Sequence, residues 1–566
     1  MRRVLILAAC LALVGFVMAV PSASAQVDPH APKDVVARHG MVAAAHPLAS
    51  QAGVDILKAG GNAIDAAVAT ALALNVVEPN ASGLGGGGFI VVRFAKTGEV
   101  AVIDYREKAP ASATKDMYAS EKAQKEKWTQ LGGKAVGVPG TLKGLELALQ
   151  KYGTMTFAQV VEPAIRYAEE GFEVSPMLSG LIKENYKKMA DYNDPLEVPY
   201  FHNGLAMEPG DILRQPELAA TFRLIAEKGS DVLYRGPIGE KIVEAVNRAG
   251  GNMTMQDLAD YNAVMREPVR GTYRGYEIIS MPPPSSGGAH LIQILNVMEN
   301  YDVRAMGHNS VPYIHTLSET LKLVFADRAA YMADPDFVDI PLAGLTSKKY
   351  AKTLVDQIRL DKALTELKPG EPQNYEHEST THLVVVDQAG NIVSLTQTIN
   401  YFFGSGVMAT GTGIMLNNEM DDFSTNPASV SAPEPGKRPL SSMSPTIILK
   451  DGEPFMALGT PGATRIFPTL AQVIMNVLDF GMGLDEAIEA PRVWCSSSAG
   501  KPGTLAVESR IPEDTRAALQ ALGHTVSVRG DWDSYYGAVQ AVLFDRASGL
   551  MYGAADSRRL GEAIGF

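Results

Sequence analysis

One threonine in this chain has a position that suggests nucleophilic chemistry. Residues 365–379 read TELKPGEPQNYEHES, contain almost nothing to bury, and are predicted to form a polar linker. A strand pattern starts immediately afterwards with Thr380-Thr381-His382. A threonine at the start of a strand is ordinary, because β-branched residues favour strands. A threonine exposed by chain cleavage is different, since its new α-amine has a pKa of about 8 and can act as the base for the hydroxyl of the same residue.

Sequence motifs for nucleotides and metals are otherwise missing. Residues 83–88 read GLGGGG, but a dinucleotide-binding loop follows a strand and opens a helix, whereas here a helix pattern precedes and a strand pattern follows. P-loop, H-E-x-x-H, C-x-x-C and strict G-x-S-x-G patterns do not occur, and the 10 histidines show no zinc-ligand spacing. His315 lies on a predicted long helix, where a packed or solvated histidine is the ordinary interpretation. We predict no metal and no cofactor.

The elements that must position Thr380 are mostly helical before the linker and mostly strands after it. Helices are predicted at 48–58, 63–76 (capped by Asn62), 142–152, 157–170, 217–228, 238–249 and 290–301, with an N-cap at Thr254 and a long amphipathic helix at 311–332. Strands in this part are predicted at 89–94, 100–105 and 277–281.

The part of the chain after the linker is rich in hairpin patterns. Strands are predicted at 380–386, 392–399, 446–450, 454–459, 539–545 and 550–554, with a helix at 464–480. A helical part with few strands followed by a hairpin-rich part indicates an α+β or layered α/β organisation. No internal repeat is visible.

Composition limits the class of protein. The 566 residues are 46% hydrophobic and 20% charged, which excludes an intrinsically disordered chain. The formal net charge of −13 and the pI of about 5.4 offer no cationic surface for nucleic acid or for an anionic membrane. The two cysteines, Cys10 and Cys495, provide no disulfide framework, and Cys495 is predicted to be a small buried residue.

The first 25 residues fit a secretion signal. Two arginines precede an apolar run over residues 4–20, and Pro21 and the small residues 22–25 follow, so cleavage is predicted after Ala25. An uncleaved anchor is the alternative, because the apolar run is somewhat long. No other stretch approaches the roughly 20 apolar residues that a membrane span needs. We therefore expect a soluble, exported protein, either periplasmic or secreted.

Nine segments resemble the γ-glutamyltranspeptidase (γ-glutamyltransferase) family, and they occur in the family's order. Those before the linker are 60–66 (GGNAIDA), 84–89 (LGGGGF), 104–107 (DYRE), 137–140 (GVPG) and 282–288 (PPPSSGG). Those after it are 380–382 (TTH), 417–424 (NNEMDDFS), 438–446 (RPLSSMSPT) and 459–462 (GTPG). The likeness covers nearly the whole chain after residue 25, and its motifs are too long and too well ordered to arise by chance.

The resemblance implies a fold and a route of maturation. The fold would be α+β, a four-layer αββα sandwich of the N-terminal-nucleophile hydrolase type. The chain would cut itself between Ser379 and Thr380 into a large fragment, 26–379, which includes the linker, and a small catalytic fragment, 380–566, which together form one body. Thr380 would be the nucleophile in both self-cleavage and turnover, and Thr398 would hydrogen-bond and support it.

The resemblance also implies how a γ-glutamyl group would be held. Its α-carboxylate would bind Arg106, Ser441 and Ser442; its α-ammonium would bind Asn400, Glu419 and Asp422; and the backbone N–H groups of Gly462 and Ala463 would form the oxyanion hole. These residue types suit the task, because arginine offers a fork to a carboxylate and acidic side chains accept from an ammonium. Taken singly, each has an ordinary alternative: a turn cap for Asp422, local backbone bonds for the serines, and a surface ion pair for Arg106.

Three departures from the common family pattern bear on specificity. Many members have Gly-Gly where this chain has Gly462-Ala463, so approach to that N–H could be tighter. The segment 424–437 is short and rich in Pro, Ser and Ala, and it resembles the lid-less bacterial members, which implies an open site. The aromatic run 401–403 is either core packing or a wall for a leaving group or bulky acyl chain.

Three function classes remain in view at this point. The first is a self-processing γ-glutamyl hydrolase and transferase that acts on glutathione and related amides and passes the glutamyl group to water or to amino acid or dipeptide acceptors. The second is a related acylase of the glutaryl or cephalosporin type, which has no need of three groups for an ammonium. The third is a non-catalytic exported binding protein, which the retained Thr380, Thr398 and Arg106 disfavour. The first is preferred, with a heterodimer of its own two fragments and without nucleic-acid or membrane partners once the signal is removed.

Overall fold

Two seven-stranded sheets dominate the part of the chain described by this computed structural model, residues 34–367, 379–498 and 501–566. The predicted signal peptide, Cys10 and most of the predicted linker lie outside these residues. Among the described helices, none is long and apolar enough to cross a membrane.

The first sheet, called the Thr380 sheet, has that threonine near one end of a central strand. All of its neighbouring strands run antiparallel. Their order across the sheet is Glu562–Gly565, Met41–Ala44, Ser379–Val386, Ile392–Asn400, Gly87–Arg93, Val100–Asp104 and Val264–Arg266. The predicted hairpin that begins at Thr380 is therefore present, and strands from before residue 367 flank it on both sides.

The second sheet, called the Thr446 sheet, is also antiparallel throughout. Its strand order is Val35–Ala37, Leu550–Ala555, Gln540–Asp545, Glu453–Gly459, Thr446–Lys450, Tyr276–Ser280 and Val269–Tyr273. A smaller sheet of Val493–Trp494, Leu505–Glu508 and Val526–Arg529 lies in the C-terminal part.

The helices of the described residues come mainly from the part of the chain before the linker. The longer ones are Pro47–Lys58, Ala63–Val77, Thr141–Tyr152, Phe157–Glu170, Pro176–Ala190, Pro216–Lys228, Pro237–Arg248, Gly287–Met298, Val311–Tyr331, Lys348–Val355, Ile466–Leu478 and Glu513–Ala521. The shorter ones are Glu121–Lys125, Asp231–Tyr234, Met255–Ala259, Val303–Met306, Leu342–Leu345 and Leu484–Glu489.

Alternate residues of the Thr380 sheet belong to two different hydrophobic cores. Leu383 and Val385 pack in one core with helices that include Pro47–Lys58, Ala63–Val77 and Phe157–Glu170. Val384 and Val386 pack in the other with the Thr446 sheet and helices that include Gly287–Met298, Val311–Tyr331 and Ile466–Leu478. Because side chains alternate along a strand, both faces of this sheet are buried, and its strands are apolar almost without interruption.

Most predicted elements are confirmed to within a few residues, including the caps at Asn62 and Thr254, each of which forms a capping box. The helix predicted at 290–301 instead spans Gly287–Met298. Glycine is needed at positions 287 and 288 because a Cβ at either one would collide with neighbouring backbone. Gly287 and Gly288 therefore allow close packing and do not break the helix.

The helix predicted at 311–332 is present as Val311–Tyr331, but the prediction that it is amphipathic is wrong. It is buried on all sides from Tyr313 to Asp327, because it lies inside the second core. Strands Val35–Ala37, Met41–Ala44 and Val269–Tyr273 and helix Pro176–Ala190 were not predicted.

Candidate active site

Thr380 lies at an irregularity in the central hairpin of its sheet. The ladder pairs Ser379 with Asn400 and resumes one residue after Thr380, so that this one residue faces two, Thr398 and Ile399. Such a bulge locally re-aims the side chains and is common beside active sites. It places the predicted nucleophile next to the threonine that was predicted to support it.

The hydroxyl of Thr380 is directed at a second buried hydroxyl. Thr380 Oγ1 donates to Thr398 Oγ1 across 3.4 Å, and Thr398 Oγ1 also accepts from the backbone N–H of Asn400 at 2.8 Å. The first distance is long beside the usual value of about 2.7–2.8 Å for two hydroxyls, so this contact orients the Thr380 side chain without binding it tightly.

Arg559, which the sequence did not single out, holds the backbone of Thr380. Its Nη1 donates to the Thr380 carbonyl oxygen at 2.8 Å and lies 3.2 Å from Glu78 Oε1. Burial raises the pKa of Glu78, while the charge of Arg559 opposes that shift. The contact joins residues 179 positions apart, so no local pattern could have indicated it.

Gly462 and Ala463 form a loop between strand Glu453–Gly459 and helix Ile466–Leu478. Their φ angles are 127° and 59°, both in the region that glycine adopts most easily. Within the described residues, neither backbone N–H donates a hydrogen bond, and both precede a helix whose N-terminus favours negative charge. Two N–H donors are thus available for a developing oxyanion, and Ala463 carries the backbone strain that glycine avoids.

Arg106 is buried, and both arms of its guanidinium bond acidic side chains. Nη1 donates to Glu419 and Nη2 donates to Asp422, while Nε and Nη2 donate to the backbone oxygens of Pro439 and Leu440 at 3.2 and 2.7 Å. Burial lowers the pKa of Arg106, but the surrounding carboxylates raise it by a larger amount, so Arg106 remains positively charged. Residues predicted to bind opposite ends of one zwitterion are therefore in direct contact.

Glu107 adds a third carboxylate to this cluster and was not predicted. It is fully buried, and its Oε2 lies 3.8 Å from Arg106 Nη1. Burial raises its pKa to about 7, and the charge of Arg106 opposes this shift. Its position next to Arg106 in the DYRE segment was the available signal.

The remaining predicted binding residues are connected to the partners of this guanidinium. Ser441 and Ser442 directly follow the backbone oxygens that bind Arg106, and both are buried. The Ser442 hydroxyl accepts from Arg328 Nη2 at 3.1 Å, so its own hydrogen is directed elsewhere. Asn400 Nδ2 donates to the Asn418 oxygen at 2.9 Å, one residue before Glu419. Arg328 is a second cation near the serine pair that sequence analysis missed.

The aromatic run 401–403 divides between two roles. Phe403 is fully buried and packs on Tyr200 with ring centres 5.1 Å apart, as core packing predicts. Tyr401 donates to Asp421 Oδ2 at 2.5 Å. Tyr401 and Phe402 line a cavity that also contains Gly462 and Arg559, as expected for the wall of a site.

The short segment 424–437 folds back on itself. Ser424 N–H donates to the Ser431 oxygen at 2.8 Å, and Lys437 Nζ donates to the Val430 oxygen at 2.9 Å. Its far end is tied to Ala109 by two backbone hydrogen bonds of 2.8 and 3.0 Å. The segment is thus held by its own bonds and by residues close to Arg106.

Three other residues considered from the sequence have structural roles. His382 is buried, hydrogen-bonds Thr396 Oγ1 at 2.8 Å and packs where a Cβ on Gly459 would fall, and burial lowers its pKa to about 3. Burial raises the pKa of the Cys495 thiol to about 12, which confirms a packed residue. His315 bonds His524 at 2.8 Å beside Glu319, and Lys322 occupies the position next to that carboxylate, so we assign this cluster to packing.

The arrangement combines a buried threonine hydroxyl, a pair of N–H donors and a buried cluster of opposite charges. Such a set can hold a zwitterionic group by both of its charges and present a carbonyl to a threonine. These are the groups that acyl transfer through an ester intermediate requires.

Three comparisons with known proteins can be set beside this geometry. The family model described as Gamma-glutamyltranspeptidase matches residues 49–566. The chain is 43% identical over 540 residues to the glutathione hydrolase proenzyme of Escherichia coli (strain K12), which covers 93% of this chain and 91% of that protein. It is 44% identical over 536 residues to the Acylase ACY 1 proenzyme of Pseudomonas sp. (strain SE83), with 93% of each covered. The solved cephalosporin acylase from Bacillus halodurans matches with a TM-score of 0.84 at 33% identity, covering 94% of this chain and 97% of that one.

Proposed function

The chain belongs to the γ-glutamyltranspeptidase family. We propose that Thr380 is its nucleophile and that self-cleavage of the chain makes Thr380 a new N-terminus. The protein is a γ-glutamyl hydrolase and transferase that acts on glutathione and related γ-glutamyl compounds. It forms a γ-glutamyl ester on Thr380 and passes the glutamyl group to water or to amino acid or dipeptide acceptors.

The observation that carries this proposal is the charge cluster of Arg106, Glu419 and Asp422. A γ-glutamyl group has an α-carboxylate and an α-ammonium. When this group binds, its carboxylate can replace the acids as the partner of Arg106, and its ammonium can replace Arg106 as the partner of the two acids. No buried charge is left unpaired, which is the condition for such an exchange to be favourable.

The chemistry follows from the neighbours of Thr380. Once the Ser379–Thr380 peptide bond is cut, the new α-amine accepts the Thr380 hydroxyl proton while Oγ1 attacks the γ-carbonyl. The N–H groups of Gly462 and Ala463 stabilise the oxyanion, and Thr398 orients the nucleophile. The leaving amine takes the proton. Water or an acceptor amine then gives a proton to the α-amine and attacks the ester carbonyl, the bond to Thr380 Oγ1 breaks, and Oγ1 takes the proton back.

The finer architecture is part of the same proposal. We assign an N-terminal-nucleophile αββα sandwich, which the two cores on either side of the Thr380 sheet support. The fragments would be 26–379 and 380–566, each giving strands to both sheets, and residues 1–25 would direct export to the periplasm or the medium.

A glutaryl or cephalosporin acylase is the second candidate, because an acylase proenzyme and a cephalosporin acylase structure match over most of the chain. Glutaryl has no ammonium, so it would take Arg106 away from Glu419 and Asp422 and leave those carboxylates unpaired. Burying unpaired charge is costly, and the cluster therefore favours the γ-glutamyl substrate.

A donor comparison tests this choice. Purified, self-cleaved protein is offered γ-glutamyl and glutaryl anilides with the same leaving group, and kcat/KM is measured for each. We expect the γ-glutamyl anilide to be preferred by at least about a hundredfold. Preference for the glutaryl anilide would overturn the proposal in favour of the acylase.

A further inference from the structure

A cavity of about 440 Å³ lies beside Gly462 and has a basic lining. None of the residues assigned to the α-carboxylate or the α-ammonium lines this cavity, although Tyr401, which follows Asn400, does. We therefore treat the cavity as a separate part of the site. Its four basic residues are Lys188, Arg465, Arg529 and Arg559.

Two contacts connect this cavity to the reacting centre. Arg559 lines it and donates to the Thr380 carbonyl oxygen at 2.8 Å. Gly462, one of the two oxyanion donors, also lines it. A group bound in the cavity would therefore lie close to the substrate carbonyl that Thr380 attacks. That group would belong to the amine part of the substrate and not to the glutamyl part.

Two of the arginines are held against one aromatic ring. The guanidinium carbons of Arg465 and Arg529 lie 4.5 and 4.0 Å from the ring centre of Tyr535. Arg465 Nε also donates to the Tyr535 backbone oxygen at 3.1 Å. Stacking uses the face of a guanidinium and leaves its edge as the donor surface for an anion. Since stacking fixes each side chain, less entropy is lost when an anion binds.

The lining has two acidic residues, Asp533 and Glu184, against four basic ones. Asp533 accepts from the backbone N–H of Tyr535 at 2.9 Å and of Gly530 at 3.2 Å, so its carboxylate holds the turn that carries the ring. Glu184 is exposed at the rim. In the described part of the chain, Arg529 forms no ion pair with an acid.

Lys188 fixes the opposite wall of the cavity. Its ammonium donates to the backbone oxygens of Phe402 and Gly404. These bonds hold the loop that presents Tyr401 and Phe402, so the wall is shaped before a ligand enters. Because Arg559 is already paired with Glu78, the positive charge offered to an anion in the cavity comes mainly from Arg465 and Arg529.

We propose that this cavity binds a carboxylate carried by the leaving amine of the donor or by the acceptor amine. The inference rests on the proposed γ-glutamyl function. It names the chemical class of the amine part of the substrate: amino acids and short peptides with a free carboxylate, in preference to neutral amines. Arg465 and Arg529 are specificity-determining residues for this part.

Two γ-glutamyl anilides that differ only in a carboxylate on the aniline ring test the proposal. The unmodified protein hydrolyses the carboxylated donor with the higher kcat/KM. In Arg529→Gln we expect kcat/KM for that donor to fall about fivefold, mainly through KM, and in the Arg465→Gln/Arg529→Gln double variant at least about tenfold. The uncharged donor should change less than about twofold in each variant. Arg223→Gln, which removes an exposed arginine paired with Glu169, is the control and should leave both donors unchanged.

The outcomes separate this inference from the function on which it rests. Equal losses with both donors in Arg529→Gln would show that the arginines support the fold, and equal kcat/KM of the two donors with unmodified protein would show that the cavity has no carboxylate preference. Either result overturns the inference alone. Failure of self-cleaved protein to hydrolyse either anilide overturns the γ-glutamyl function and this inference with it.

Discussion

Arg106 and Asp422 form a direct ion pair inside the site, and Glu419 bonds the other arm of the same guanidinium. A ligand carboxylate can use this fork only if at least one of these acids gives up its place. An ammonium on the same ligand compensates the displaced acid, which makes the pair selective for a zwitterion. This relationship leads to the first prediction.

Arg106→Lys keeps the positive charge but loses the fork, and Asp422→Ala removes one of the two acids assigned to the substrate ammonium. The loss of a buried charged partner costs on the order of 3–5 kcal/mol, so each change should lower kcat/KM for a γ-glutamyl donor by at least about a hundredfold. Self-cleavage should continue in both, because it needs no substrate. Glu434→Ala, which removes an acid paired with Lys437 outside the cluster, is the matched control. Near-normal turnover by cleaved Asp422→Ala would exclude the assigned role.

Self-cleavage itself depends on the Thr380 hydroxyl. In the proposed reaction, Oγ1 attacks the Ser379 carbonyl carbon and the acyl group moves from nitrogen to oxygen, which breaks the C–N bond and frees the Thr380 α-amine. Water then hydrolyses the ester to give the Ser379 carboxylate and the free Thr380 hydroxyl. Thr380→Ala should therefore remain one full-length chain by mass spectrometry, while Thr380→Ser, which keeps a hydroxyl, should still divide. Two fragments from Thr380→Ala with residue 380 at a new N-terminus would show that another group attacks the bond.

Most of the fold could be predicted because its signals are local. Helix Phe157–Glu170 and the hairpin of Ser379–Val386 and Ile392–Asn400 have periodicity and turn residues that need no knowledge of their neighbours. The strand Met41–Ala44 was missed because four apolar residues buried on both faces show no alternation. The helix Val311–Tyr331 was wrongly expected to be amphipathic because its polar side chains are buried and paired inside the protein, as Lys322 with Glu319 shows.

The site was predictable only where the family motifs name its residues. The structure brings Arg106, Glu419 and Asp422 together and places Thr380 beside Thr398, but those assignments came from the resemblance and not from spacing. Arg559 was missed because its contact with Thr380 depends on long-range packing alone. Glu107 was missed because its raised pKa follows from complete burial, which a single charged residue in a sequence does not reveal.

Glu107 should make the protein less stable as the pH rises towards neutrality. Burial raises its pKa from 4.5 to about 7, so between these values the folded chain keeps a proton that the unfolded chain has lost. The free energy of unfolding must then fall as pH rises through this interval and become level above it. Glu107→Gln removes the effect, and its stability relative to the unmodified protein should increase by roughly 1–3 kcal/mol between pH 5 and pH 8.

Thermal unfolding followed by circular dichroism at the two pH values measures this difference. Glu244→Gln, at an exposed position, is the control and should show a constant offset. A Glu107→Gln offset that does not depend on pH would mean that Glu107 is ionised in the folded protein throughout.

Substitution of alanine by glycine should be tolerated better at position 463 than at a helical position. Its φ of 59° lies in the left-handed region, where a Cβ costs about 1–2 kcal/mol. Removing the Cβ relieves that cost and loses about 0.5–1 kcal/mol to the greater freedom of the unfolded chain. Ala463→Gly should therefore keep or raise Tm, whereas Ala517→Gly, at an exposed position of helix Glu513–Ala521, should destabilise by about 1 kcal/mol. Equal losses of Tm in the two variants would show that Ala463 is not strained.

The short segment 424–437 leads to a prediction about water. It is folded on itself and tied to Ala109, and it is not part of the lining of the cavity beside Gly462. Water should therefore reach the γ-glutamyl ester of Thr380 easily, and a dipeptide acceptor must compete with it at a far lower concentration. We expect free glutamate to be a substantial product even with millimolar glycylglycine at neutral pH, and we expect bulky leaving groups to be accepted. The measurement is the ratio of glutamate to γ-glutamyl-glycylglycine, with unmodified protein without acceptor as the reference. Almost exclusive transfer would show that another element shields the ester and that the length of this segment does not control access of water.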